Sequence, residues 1–172
     1  TRYMTLFPYT TLFRSNEEVI GNTVIDLVTN RLPKKYNVRP SDIQVLTPMK
    51  ISSLGSEVLN EKLQFIINPI GDYIQYGNTI FRMGDKVMQI KNNYDNGVFN
   101  GDTGYITDVN TEDKTVSVTF KNNTILYQKT ELDELMLAYS CTIHKSQGSE
   151  YDIVVIPIFR SQKRMLQRNL LY

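Results

Sequence analysis

The sequence predicts an α/β fold built on a parallel sheet and interrupted by a small antiparallel β-barrel. Three observations carry this. Segments of helical and of strand-like period alternate at both ends of the chain. Near the C-terminus, short apolar runs show almost no polar alternation, as in strands buried on both faces. Between them, from about Thr79 to Tyr127, Asn and Gly recur every few residues and break the chain into short segments.

The first element follows Asn16. Ile20, Val24, Leu27, Val28 and Leu32 recur at spacings of three and four, which describes one apolar helix face. Pro33 predicts its end, because proline lacks the N–H that a continuing helix needs. Ile43–Leu46 is a short β-branched run before Thr47-Pro48 and predicts a strand. Leu59, Leu63, Ile66 and Ile67 return to helical spacing. In the middle segment, Asn96-Gly97, Asn100-Gly101, Gly104 and Asn122-Asn123 predict hairpin turns, where positive φ is needed. Val116, Val118 and Phe120 alternate with Ser117 and Thr119 and predict a strand with one apolar face. About five such strands suit a closed barrel, which leaves no exposed sheet edges. Leu135–Ala138 and Ile153–Ile158 predict two strands of the buried parallel sheet.

The ends read differently. Thr5–Ser15 has neither helical nor strand period and resembles, codon for codon, the translation of a common short-read sequencing adapter. Residues 1–15 are therefore expected to be an artefact or disordered, outside the fold. The C-terminal Arg168–Tyr172 carries no capping or turn residue, so the chain is expected to be truncated at both ends.

Composition bounds the function. The 172 residues are 41% hydrophobic and 22% charged, and no apolar run approaches the ~20 residues of a membrane helix. A single cysteine, Cys141, excludes an internal disulfide and a cysteine-based zinc site. A cytoplasmic protein with no membrane partner is expected. With a net charge of +1, nucleic-acid binding must come from local patches. Arg31, Lys34, Lys35, Arg39 and Lys50 cluster against Asp42. No acid follows Asp152, while Arg160, Lys163, Arg164 and Arg168 do. Solvated cationic faces are the plainer reading of each patch.

The chemistry concentrates in LAYSCTIHKSQGSEYD, Leu137–Asp152. It starts and ends in apolar runs and gathers polar residues between them, where open α/β sheets place ligands. Thr142, Ser146 and amides near Gly148 can donate to phosphate oxygens, Lys145 can neutralise one, and Glu150 can accept from a ribose hydroxyl. Gly148 would let backbone come close without a Cβ in the way. Singly, each has a duller role: His144 as a satisfied polar side chain, Ser or Thr as the cap of a following turn.

IHKSQGSEYD, Ile143–Asp152, resembles motif V of superfamily 1B helicases of the RecD and Pif1 kind. FRMGDKVMQIKNNYD from Phe81, followed by VFNGDTGYI from Val98, resembles the SH3-like insertion of the RecD-like branch. TPMK with LNEKLQ, Thr47–Gln64, is similar to the segment before that insertion, and MLQRNLLY resembles the approach to motif VI. The resemblance covers nearly everything after Asn16. It implies that residues 16–70 and 131–172 are two parts of the second RecA-like motor domain, of P-loop NTPase type. Residues 71–130 would be the SH3-like barrel inserted between them, and the last part would stop before the end of motif VI.

The implied function is an ATP-dependent DNA helicase that translocates on single-stranded or forked DNA, 5′ to 3′ in this branch. The resemblance gives Thr142, His144, Lys145 and Ser146 to the DNA backbone, and Gln147, Gly148 and Glu150 to ATP. Tyr94, Phe99 and Asn100, near barrel turns, would guide the strand; the aromatics filling the barrel core is the alternative. No Gly-x-x-x-x-Gly-Lys-Ser/Thr phosphate loop occurs, and Asp133-Glu134 follows no buried strand. ATP and Mg would then be bound mainly by a missing N-terminal motor domain of the same polypeptide, and this chain alone would be inactive. A helicase subunit associated with a relaxase or nuclease, or a non-catalytic nucleic-acid-binding module using the barrel, are the other readings.

Overall fold

The computed structural model describes residues 16–121 and 123–158. The chain divides into two compact units: the residues up to Ile67 together with those from Tyr139 onward, and the stretch Asn68–Ala138. Residues 1–15 and the tail that resembles the approach to motif VI lie outside the described residues.

In the first unit, α1 (Glu17–Asp26) starts where the Asn16 side chain accepts the Glu18 N–H. Ile20, Val24, Val28 and Leu32 are buried along one line. The helix does not end before Pro33. A π-helical turn, Leu27–Arg31, widens the ladder so that Leu32 N–H bonds to the Leu27 carbonyl. A second helical segment, α2 (Leu32–Tyr36), continues directly from it, with Pro33 in its first turn. Asn37, at φ 53°, ends it.

Strand β1 (Ile43–Thr47) is buried along its whole length and is central in a three-stranded parallel sheet, between β10 (Ile153–Val155) and β9 (Ser140–Thr142). Helix α3 (Ser56–Ile67) follows β1. Leu59 and Leu63 are buried as the spacing predicts, but Ile66 is 46% exposed. The buried face continues instead through Asn60 and Gln64.

The prediction for Leu135–Ala138 is corrected. Leu135–Leu137 forms β8, which pairs antiparallel with β4 (Lys86–Gln89) in the second unit. Leu135 and Leu137 are buried while Met136 is only partly so, the alternation of a sheet covered on one face. The parallel strand is the polar triplet Ser140-Cys141-Thr142. Of Ile153–Ile158, only the first three residues pair, and Pro157 has no N–H to donate to a ladder.

The second unit holds a hairpin, β2 (Tyr73–Tyr76) with β3 (Thr79–Arg82), and a five-stranded antiparallel sheet. That sheet comprises β4 (Lys86–Gln89), β5 (Thr103–Asn110), β6 (Thr115–Thr119), β7 (Thr124–Gln128) and β8, in the order β7-β6-β5-β4-β8. Val116, Val118 and Phe120 are buried as the alternation predicts. The edge strands β7 and β8 are linked through a 3-10 turn, Lys129–Glu134, that buries Leu132; among the described residues no ladder joins them. Gly97 and Gly101 sit in turns at φ 65° and 102°. Gly104 is not a turn residue. It lies within β5, where a Cβ would come 2.7 Å from the Thr119 carbonyl oxygen. Beneath the sheet, Tyr127 Oη donates to Gln89 Oε1 at 2.8 Å and Gln89 Nε2 donates to Glu134 Oε2 at 3.0 Å, so the buried polar groups satisfy one another.

Candidate nucleic-acid interface

The parallel strands fix the first candidate site. In register, Val45 lies beside Ser140 and Thr47 beside Thr142. The loops leaving β1 and β9 therefore emerge side by side at the carboxyl edge of the sheet, where α/β folds place ligands. The loop after β9 begins as a 3-10 turn, Ile143–Ser146. Ile143 turns inward and is buried. His144, Lys145, Gln147, Gly148 and Glu150 are exposed and Thr142 is half-buried.

Ser146 differs from its neighbours. It is buried, and its hydroxyl donates to the Ile143 carbonyl at 2.8 Å, which closes the turn instead of reaching outward. The Ser149 N–H bonds to the Ser146 carbonyl at 3.0 Å. Gly148 has φ 84°, and a Cβ there would meet nothing within 4 Å. The turn thus requires glycine for its backbone conformation. Tyr151 is half-buried, and burial pushes its hydroxyl up to about 12.

The loop after β1 is compact. Thr47 Oγ1 donates to the Leu54 carbonyl at 2.9 Å. The first two N–H groups of α3, from Ser56 and Glu57, bond to the Met49 and Lys50 carbonyls. A Cβ at Gly55 would lie 2.4 Å from the Lys50 carbonyl oxygen, so only glycine permits this packing. Lys50 is thereby held at the sheet edge, with its ammonium 3.2 Å from Glu57. Partial burial, and then the neighbouring charge of Lys50, hold the Lys145 amine below its ordinary value. Two other members of the basic cluster read from sequence are paired: Arg31 with Asp26 at 2.5 Å and Arg39 with Asp42 at 2.8 Å.

The second candidate site is the loop between β4 and β5. Tyr94 is 76% exposed and Phe99 46%, so neither fills the core. Their rings meet edge to face, with centroids 5.9 Å apart. Asn93 and Val98 form an isolated bridge beneath them. Asn92 Oδ1 accepts the Asn100 N–H at 2.9 Å and Asn93 Oδ1 accepts the Asn96 N–H at 3.1 Å. Phe99 N–H donates to Asp102 Oδ2 at 2.8 Å. Two apolar rings are thus fixed at the surface by a hydrogen-bonded frame.

Sequence reasoning gave Asn60 no role at the first site, and Lys50 only a place in a basic cluster. Asn60 holds β9 from α3, and Lys50 stands on the loop that leaves the strand beside β9. The quoted TPMK and LNEKLQ contain both, but their spatial partners lie far along the chain. Among the described residues, no three His, Cys, Asp or Glu side chains are grouped to hold a metal ion. No described helix is long and apolar enough to cross a membrane.

Residues 59–120 match the family model of the SH3 domain of ATP-dependent RecD-like DNA helicases, and residues 137–172 match that of the UvrD-like helicase C-terminal domain. The chain is C-terminal sequence of the RecD-like helicase family. The first RecD-like match begins inside α3 and runs across the barrel strands to Phe120. An ATP-dependent RecD2 DNA helicase of Deinococcus radiodurans is 38% identical over 133 residues, covering 77% of this chain and 18% of that protein. The RecD subunit of the RecBCD enzyme of Buchnera aphidicola is 24% identical, covering 93% of this chain and 29% of its own length. This RecD-like chain thus spans less than a third of either relative. A Bacteroides Pif1 helicase, solved with ADP-AlF3 and single-stranded DNA, matches at a TM-score of 0.50 and 18% identity. That match covers 88% of this chain and 44% of the Pif1 chain, a likeness in fold.

Proposed function

We propose that this chain supplies part of the second motor domain, and the barrel, of an ATP-dependent helicase that translocates 5′ to 3′ on single-stranded or forked DNA. The observation that carries the reading is the sheet edge. Exposed His144, Lys145, Gln147 and Glu150 are displayed on one loop at the carboxyl ends of parallel strands, in a chain whose two family matches are both to helicases.

In this reading Thr142, His144 and Lys145 contact the DNA backbone, and Ser146 shapes the turn that presents them. Gln147, Gly148 and Glu150 face ATP: an amide can donate to a phosphate oxygen and a carboxylate can accept from a ribose hydroxyl. In this reading Mg and most of the nucleotide are bound by a first motor domain of the same polypeptide. Tyr94, Phe99 and Asn100 offer stacking and a polar edge to bases, a mode that tolerates any sequence.

The exposed aromatic pair also favours a second reading, in which the barrel is a nucleic-acid-binding module without motor function. Fluorescence anisotropy of a labelled single-stranded oligonucleotide, titrated with the chain over a salt series, separates the two. Loss of affinity in Lys145→Ala supports the motor surface. Loss only in Tyr94→Ala favours the module, and no binding by the folded chain overturns both.

A further inference from the structure

Strand β7 is an edge of the five-stranded sheet, and no described strand pairs with its outer side. The hairpin with β6 sets which of its backbone groups face outward. Phe120 N–H donates to the Asn123 carbonyl. In the alternation of an antiparallel ladder, Val118 with Ile125 and Val116 with Tyr127 then exchange the bonds between the two strands. Thr124, Leu126 and Gln128 therefore turn their N–H and C=O groups away from β6. The Gln128 N–H donates to the Glu131 carboxylate at 2.8 Å, while those of Thr124 and Leu126 lie at the open edge. Edge strands are commonly blunted by proline, lysine or a bulge. β7 carries none of these, and its exposed face centres on Leu126, which is 57% exposed.

We propose that β7 is a self-association surface, on which a second copy of this chain pairs antiparallel about a two-fold axis at Leu126. The edge is complementary to itself in that register. Leu126 exchanges both backbone bonds with the partner's Leu126, and the Thr124 N–H donates to the carbonyl of the partner's Gln128, whose own N–H stays with Glu131. No charge occurs from Asn122 to Gln128, so no like charges meet across the centre. Lys121 and Glu131 are both exposed and lie equally far from Leu126 in sequence, so each lysine comes opposite the other copy's glutamate. The two Leu126 side chains then cover one another on the exposed face. This two-fold match favours a second copy over an unrelated strand. Pairing joins two five-stranded sheets into one, through a contact small enough to be weak and concentration-dependent.

Sedimentation equilibrium of the full chain tests this, over roughly 5–500 μM, a range suited to a contact below the ~1,000 Å² of a stable interface. Wild type should pass from monomer toward dimer. Leu126→Pro removes only an N–H that faces away from β6, and Leu126→Lys sets like charges side by side across the axis. Both should stay monomeric throughout, with circular dichroism confirming the fold of each. Lys121→Glu should weaken association about two- to fivefold. Cross-linking reads the register. The single native cysteine, Cys141, is buried. Leu126→Cys should link two copies under mild oxidation, since a bonded antiparallel pair sets its Cα atoms ~5.5 Å apart. Thr124→Cys should not, because its two copies would stand roughly 14 Å apart along the strands. A wild type that stays monomeric overturns the proposal and leaves the edge to a strand of another protein. Dimers that survive both Leu126→Pro and Leu126→Lys overturn it by placing the contact elsewhere, and cross-linking of Thr124→Cys but not Leu126→Cys overturns the register.

Discussion

Asn60 and Ser140 exchange two hydrogen bonds: Asn60 Nδ2 donates to the Ser140 carbonyl at 2.9 Å, and the Ser140 N–H donates to Asn60 Oδ1 at 2.7 Å. Both residues are buried. Strand β9 is an edge of the parallel sheet among the described residues, and the Asn60 amide serves its outer side as a neighbouring peptide would. A side chain on α3 thereby fixes the strand that leads into Thr142 and Lys145.

Replacing Asn60 with leucine should fill the space but leave the Ser140 N–H and C=O unpaired. Each buried orphan costs about 1–3 kcal/mol, so urea denaturation should show a loss of roughly 2–5 kcal/mol. A midpoint within error of wild type would sink this account of the pair.

The two glycines of different type should respond differently to alanine. Gly148→Ala meets open space and suffers only from its positive φ, a cost of about 1 kcal/mol. Gly104→Ala meets the Thr119 carbonyl within the β5–β6 ladder, and overpacking of that kind costs roughly 1–3 kcal/mol. Thermal melts should rank Gly104→Ala as the more damaging.

Tyr94→Ala removes an exposed ring, so stability should stay within about 0.5 kcal/mol of wild type. Oligonucleotide affinity should fall, since a base stacked on an aromatic side chain is worth about 1–3 kcal/mol. Unchanged binding with an unchanged melt would remove Tyr94 from the interface.

Tyr151 should make the fold sensitive to alkali. Burial raises its folded value to about 12, above the ~10 of an unfolded tyrosine. Between those values the folded chain holds a proton that the unfolded chain releases, so this contribution is complete below about pH 10 and is lost as pH rises toward 12. Chemical denaturation across pH 9–12 should show a shallower decline for Tyr151→Phe than for wild type.

What the sequence made legible follows from where each signal lies. The helix face from Ile20 to Leu32 and the alternation of Val116, Val118 and Phe120 are local periods, and both pack as they read. Ser140–Thr142 carries no apolar period. It is a strand because β1 and Asn60 supply its hydrogen bonds from distant sequence, so the apolar Leu135–Ala138 was the more conspicuous candidate. Pro33 misleads for a related reason: the preceding π turn, which no residue type announces, gives proline a first-turn position. At the candidate site, the polar density after Thr142 was visible, whereas the inward bond of Ser146 depends on geometry alone.

Both ends of the Asn68–Ala138 stretch are tied to the start of β4. Asn68 Nδ2 donates to Asp85 Oδ1 at 2.7 Å, and the Ala138 N–H donates to the Lys86 carbonyl at 2.8 Å. This bears on the order of folding. Gln44 and Tyr139 lie 95 positions apart, and bringing such distant partners together across an open chain costs loop entropy and slows pairing. Once the intervening unit has folded, its entry and exit are already neighbours, and β9 emerges as if it followed α3 after a short connection. The parallel sheet should therefore assemble late and quickly, and loosening Asn68 or Asp85 should slow its formation more than it lowers its final stability.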